Sequence, residues 1–231
     1  LCQKVENEFV GVNCGIMDQF AVAVGKKDHA ILLDCASLYY EYAPLNLGEY
    51  SLVIMSTNKR RELADSKYNE RRAECEKALA IINSNKERKL ENLCQATLDD
   101  IEKFITDETI KRRAVHVVSE NERVKMSMEM LKNNDILGFG ELLTASHMSL
   151  EKDYEVTGIH LDTLVDEALK IEGCIGARMT GAGFGGCAIA LVDNAKVIEF
   201  KEKVSVAYEE VTKIKPSFYT SNIGEGTHVL N

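Results

Sequence analysis

An α+β fold is predicted by the order in which periodicities appear along the 231 residues. Short apolar runs of strand length come first, at 29–34 (HAILLD) and 50–56 (YSLVIMS). Helical spacing then takes over from Glu62, and after Gly173 the pattern becomes strand, glycine loop, strand, helix, strand. Strands segregated from helices in this way belong to layered α+β architectures, whereas a doubly wound sheet alternates the two.

Each element has its own warrant. Between the first two runs, YYEYAPL alternates weakly and reads as an intervening strand. From Glu62 onward, Ala64, Tyr68, Cys75, Leu79 and Ile82 recur at helical spacing, with Glu70, Arg71, Arg72 and Glu74 in the solvated positions. Three further helices are predicted near 109–133, 135–148 and 160–171. Asn134-Asp135 suits the N-cap of the second, against which glycines 138 and 140 count. IGARMT and CAIALV flank the loop GAGFGG, residues 194–213 form a helix, and PSFYTS closes the chain as a strand. Only Pro44 and Pro216 occur, and no linker, low-complexity tract or repeat is visible. The domain division is therefore placed where strands give way to helices, 1–57 and 58–231.

Bulk properties exclude several classes of function. Hydrophobic residues at 45% and charged residues at 28% are ordinary for a globular protein. A net charge of −9 disfavours non-specific binding to nucleic acid or an anionic membrane. No apolar run approaches the roughly 20 residues that span a bilayer. The seven cysteines (Cys2, Cys14, Cys35, Cys75, Cys94, Cys174, Cys187) are scattered without a CxxC pair, which predicts reduced thiols and a cytoplasmic protein. The opening LCQKVENEF has neither a basic n-region nor an apolar h-region, so no signal peptide is expected. It reads instead as the end of an amphipathic helix begun earlier, and truncation is expected.

Three stretches carry candidate chemistry. In GVNCGIMDQF, glycines 11 and 15 permit tight turns and Asp18 falls at the start of a short helix. Spacing alone favours a helix cap for Asp18 over a carboxylate aimed at a substrate hydroxyl. In GARMTGAGFGGC, four glycines in six residues exceed what a simple hairpin needs. Such a loop can converge backbone N–H groups on a phosphate, or can be a tight turn packed against a neighbour. It matches neither GxxxxGK[ST] nor GxGxxG before a helix. In NKRREL running into SKYNERR, basic side chains after a strand could face a polyanion, but a solvated face is the favoured reading. The five histidines form no HxxxH or HExxH pattern, so a zinc site is not expected, and no GxSxG is present.

Taken in order, ENEFVGVNCGIMDQFA, TNKRRELADSKYNERRAEC, HVVSENERV and GARMTGAGFGGCAIALV resemble galactokinases, members of the GHMP superfamily of small-molecule kinases. The likeness runs over essentially the whole chain, including DYEVTGIHLD and PSFYTS. It implies transfer of the γ-phosphoryl of ATP, with Mg2+, to the anomeric hydroxyl of α-D-galactose. By the same likeness Asp18 matches the catalytic aspartate and Tyr68 a tyrosine that hydrogen-bonds the sugar. Gly15 lies where backbone meets the sugar, and Arg60 aligns with a basic residue near the active centre. Thr180, Gly181, Gly183, Gly185 and Gly186 correspond to a loop bracing the phosphate and sugar site. The implied fold is the end of an S5-like N-terminal domain followed by a ferredoxin-like C-terminal domain.

Two family signatures have no counterpart between Leu1 and Asn231, one resembling GRVNLIGEHTDY and the other the Gly/Ser-rich PxGxGLSSSA. The second cradles ATP phosphates and helps hold Mg2+, so these 231 residues alone are expected to bind nucleotide poorly and turn over little. Rival readings are a GHMP kinase for another acceptor, such as N-acetylgalactosamine, mevalonate or homoserine, and a non-catalytic regulator that binds galactose and ATP.

Overall fold

The computed structural model describes residues 1–11, 14–59 and 64–229. A short helix α1 (Cys2–Val5) runs into a π-helical turn (Glu6–Val10) that stops at Gly11, whose φ of +82° ends the turn. Helix α2 (Met17–Val24) follows, then an antiparallel hairpin of β1 (His29–Leu33) and β2 (Tyr40–Pro44). The hairpin packs Ala30, Leu32 and Ala43 against Met128 and Leu131.

The second sheet is formed by β3 (Tyr50–Ser56), β4 (Cys174–Thr180), β5 (Cys187–Asp193) and β6 (Ser217–Ser221) in the order β4-β5-β3-β6, antiparallel throughout. Between β3 and β4 the chain makes α3 (Ala64–Asn85), α4 (Leu98–Phe104), α5 (Glu108–Lys132), α6 (Ile136–Ser149) and α7 (Ile159–Leu169). Helix α8 (Val197–Thr212) connects β5 to β6. With the five helices counted as one crossover, this is the β-α-β-β-α-β pattern of a ferredoxin-like unit, as the resemblance implies. Strand β3 precedes residue 57, yet both of its hydrogen-bonded neighbours, β5 and β6, come after it.

Burial explains the layers. One face of the sheet buries Val53, Met55, Ala177, Met179, Ala188, Ala190 and Val192 against Leu161, Leu164 and Val165 of α7 and Phe200, Val204 and Tyr208 of α8. A separate helical core joins Ala78 and Ile82 of α3, Ile101 of α4, and Ile110, Ala114 and Val118 of α5. Asp107 and Asp135 cap α5 and α6, accepting N–H groups of the first turn.

Helix α6 protects the free edge of β4. Gly140 lies so close to Ile175 and Gly176 that a Cβ on either glycine would overlap backbone. Farther along, Thr144 Oγ1 accepts the Ala177 N–H at 3.4 Å and His147 Nδ1 accepts the Met179 N–H at 3.1 Å. Side chains of one helix thus pair the outward amides of an edge strand, which closes it to other strands. Among the described residues no helix is long and apolar enough to cross a membrane.

Candidate functional site

The glycine loop between β4 and β5 owes its shape to its backbone. Gly181, Gly183, Gly185 and Gly186 have φ of +80°, +83°, +115° and +85°, and Phe184 adopts +57°, so 183–186 form an unbroken run of positive φ. Only glycine takes such angles freely, which is why four are spent here. Successive amides in a turn can form an anion-binding concavity, though here the Phe184 amide is taken by the Val156 carbonyl. Among the described residues, the amides of Gly181, Ala182, Gly183 and Gly185 donate to no protein acceptor.

Two contacts pin the loop. On one side Phe184 N–H donates to the Val156 carbonyl at 2.7 Å, and a Cβ on Gly183 would run into that same oxygen. On the other, the Gly186 carbonyl accepts both the N–H and the Oγ1 hydroxyl of Thr57, each at 2.9 Å. Thr57 is itself held, because Tyr208 donates its hydroxyl to the Thr57 carbonyl at 2.8 Å. The phenolic proton is then committed, so His160 Nδ1, 3.0 Å from the same oxygen, carries the proton and donates. Lys59 lays its aliphatic stem along Gly185, 3.6 Å from where a Cβ would sit. Burial, and then Lys59, lowers the pKa of His160, which keeps the ring neutral. A cationic side chain beside open amides suits a phosphate. Lys59 is exposed, as the solvated reading of its charge run has it, while its stem lies beside the loop.

Tyr68 is half-buried on α3 near Tyr154. Burial first, then Cys75 and Tyr68, pushes the Tyr154 phenol above its ordinary pKa. Asp18 lies in the first turn of α2, exposed, and the cap position belongs to Ile16, which makes no side-chain cap. The capping role that spacing favours is thus not the one Asp18 has, because the helix already includes residue 18 and its cap falls two residues earlier. Gly15 is exposed just before it, with no atom within 4 Å of where a Cβ would sit. Among the described residues the Asp18 carboxylate makes no hydrogen bond or ion pair, to Tyr68, to the loop or elsewhere. Arg60 lies outside the described residues. Arg71, which spacing places on a solvated face, is 6% exposed and grips backbone carbonyls across the fold.

Comparison with known proteins gives consistent matches. The family described as GHMP kinases C terminal matches residues 127–210. A galactokinase of Clostridium tetani is 60% identical over all of this chain, and one of Fusobacterium nucleatum is 53% identical over 98% of it. The crystal structure of Lactococcus lactis galactokinase complexed with galactose superposes with a TM-score of 0.92 at 47% identity over 99% of the chain. Over essentially its whole length the chain is similar to galactokinases, and its C-terminal part matches the GHMP kinases. It spans 59% of the length of each of these three relatives.

Among the described residues, one group brings metal-ligand atoms together: His147, Glu151 and Asp162, within 4.8 Å of one another. It does not fit Mg2+, which prefers an all-oxygen octahedral shell. The His147 tautomer argues further against any metal there. Its Nδ1 accepts the Met179 N–H, so the neutral ring carries its proton on Nε2, the atom a metal would need. Burial, assisted by Arg178, holds the His147 pKa at about 4, and burial raises Asp162 to about 6. Nε2 and Asp162 Oδ1 face each other at 3.7 Å, both buried and beyond direct hydrogen-bond reach.

A second buried constellation resembles a nucleophile and base but is wired the other way. Ser149 gives its hydroxyl proton to Asp153 at 2.8 Å, so His116 Nδ1, 3.0 Å from Ser149 Oγ, must donate. His116 stacks on Tyr154 at 4.5 Å between centroids, and burial lowers its pKa to about 4. This chain of donors ties α5 to the turn after α6, and the histidine nitrogen facing the serine is a donor that cannot take its proton.

Proposed function

We propose that this chain forms the sugar-facing and phosphate-bracing part of a galactokinase, which transfers the γ-phosphoryl of ATP to the anomeric hydroxyl of α-D-galactose. The observation that carries the reading is the pinned run of positive-φ residues at 183–186, with open amides and Lys59 alongside. Identities of 47–60% with galactokinases support galactose as the acceptor.

In this reading Asp18 orients the anomeric hydroxyl and accepts its proton late in the transfer. Its place in the first turn of α2, free of capping duty, leaves the carboxylate available to do so. Tyr68 hydrogen-bonds the sugar, Gly15 lets backbone approach it, and Arg60 supplies positive charge near the centre. Thr180, Gly181, Gly183, Gly185 and Gly186 shape the concavity that steadies the phosphoryl group. Phosphoryl transfer asks a protein chiefly for in-line positioning and charge stabilisation, and these residues supply both. Mg2+ would accompany ATP, and no described residue is assigned to it. All seven cysteines are free, in keeping with a cytoplasmic protein. The domain division in this reading stays at 1–57 and 58–231, with β3 contributed to the sheet of the second domain.

Galactose-dependent ADP release by the full-length gene product tests this, beside Asp18→Asn and a panel of other acceptors. Loss of general-base function should lower kcat by about 10²–10⁴-fold. Galactose binding without turnover in the parent protein would instead establish a regulator, and turnover only on another acceptor a different GHMP kinase. The isolated 231 residues are expected to give little or no galactose 1-phosphate.

A further inference from the structure

Two buried arginines hold three consecutive carbonyls beneath the glycine loop. Arg71 of α3 donates Nε to the Tyr154 carbonyl at 2.6 Å and Nη2 to that of Glu155 at 3.3 Å. Arg113 of α5 donates Nη1 to the Asp153 carbonyl at 2.5 Å and Nη2 to the Glu155 carboxylate at 2.6 Å. Glu74 joins the two guanidinium groups, accepting from Arg71 Nη1 and Arg113 Nε at 2.9 Å each. The side chains are 8% and 2% exposed, so both charges are desolvated and matched from within. The next residue, Val156, is the one whose carbonyl takes the Phe184 N–H and abuts Gly183.

Tyr68 stands three residues before Arg71, on the same face of α3. The path from the sugar-contact candidate to the phosphate-bracing loop is therefore short: α3, the Arg71 fork, the carbonyls of 154 and 155, Val156, and Gly183 with Phe184. We propose that Arg71 is a positioning residue of the galactokinase reaction, fixing the glycine loop relative to Tyr68. The proposal rests on the reading given under Proposed function. A planar fork is needed because two neighbouring carbonyls and a carboxylate are engaged at once, and a lysine offers no such geometry.

The test uses the full-length gene product with Arg71→Met, Arg71→Lys and, as a control on the exposed rim of the same network, Arg112→Ala. Arg71→Met should raise KM for galactose, lower kcat, and reduce kcat/KM for galactose by about 10-fold or more, since misplacement by ~1 Å can cost 10²-fold. Arg71→Lys should recover part of the loss, and Arg112→Ala should stay within about twofold of the parent, as a surface pair contributes little. Deuterium exchange of a peptide covering 181–186 should accelerate in Arg71→Met and not in Arg112→Ala. Unchanged galactose parameters and unchanged loop exchange in a folded Arg71→Met protein would overturn the proposal. So would a lower kcat with unchanged KM for galactose and unchanged exchange, which signals only loss of folded protein. If Arg71→Met does not fold, Arg71→Lys decides by the same two readouts. If the parent protein shows no galactose phosphorylation, the kinase reading fails on its own, and loop exchange alone then decides whether Arg71 governs the loop.

Discussion

Replacing Gly183 by alanine separates the two ways in which the loop depends on glycine. At φ +83° any residue with a Cβ is strained, by about 1–2 kcal/mol. The new methyl would also strike the Val156 carbonyl oxygen, which already receives the Phe184 N–H at 2.7 Å. Moving the loop away leaves that buried carbonyl short of its donor, a further loss of about 1–3 kcal/mol. The expected destabilisation is therefore about 2–5 kcal/mol, or roughly 4–20 °C in Tm for a chain of this size. Gly48→Ala calibrates the backbone term, because Gly48 has φ +54° and open space around it. Gly15→Ala calibrates the assay, having neither positive φ nor a neighbour within 4 Å. Urea unfolding followed by circular dichroism gives the three values, with coincidence of a second probe as the two-state check. A Gly183→Ala protein no less stable than Gly48→Ala would show that the Val156 contact carries no weight, and the account of a pinned loop would fail.

Two further substitutions probe the buried polar groups. Asp162 has a folded-state pKa of about 6 against an ordinary 3.8, so its ionised form is disfavoured in the native protein. It therefore subtracts stability above pH 6, and that loss is recovered as pH falls toward 3.8. Asp162→Asn should be the more stable protein at about pH 7.5, with an advantage that shrinks on acidification from about pH 6 to about pH 4. A stability difference independent of pH in urea titrations would contradict this. Tyr208→Phe removes the hydroxyl that serves the Thr57 carbonyl and receives His160. It should cost about 1–3 kcal/mol in the same assay, and a change below about 0.5 kcal/mol would remove the brace from the account.

How far the sequence can be read depends on the range of the interaction concerned. The helix expected at 109–133 is α5 at 108–132, because its apolar spacing and the Asp107 cap are local signals. Helix α4 has no counterpart among the expected elements. Its seven residues, LDDIEKF, bury only Ile101 deeply among apolar side chains, too few points to set a period, and its capping box uses Asp100 where the usual pattern has Glu or Gln. The glycine loop is legible because positive φ is written in the residues themselves. Its supports are not, since Thr57, Val156, His160 and Tyr208 meet only through the fold. Arg71 escapes local reading for a related reason: among Glu70, Arg72 and Glu74 it has the look of a solvated face, and nothing nearby in sequence says that α5 and the turn at 150–154 close over it.

That burial has a physical cause in how α6 ends. The helix runs into a π-helical turn at Leu150–Tyr154 and stops at Glu155, which adopts φ +53°. A helix terminus leaves carbonyls without intrahelical donors, and here those of Asp153, Tyr154 and Glu155 turn toward the two arginines. Apolar packing could fill the space but could not satisfy three oxygens. Arginine can, because it brings several donors on one planar group, and Glu74 and Glu155 offset the charge it carries. The same termination sets Val156 beneath Gly183, so the groups that end the helix also fix the height of the loop. The desolvation cost of two buried guanidinium groups is thus tied to where the glycine loop must stand, which is why Arg71 should register in galactose kinetics as well as in stability.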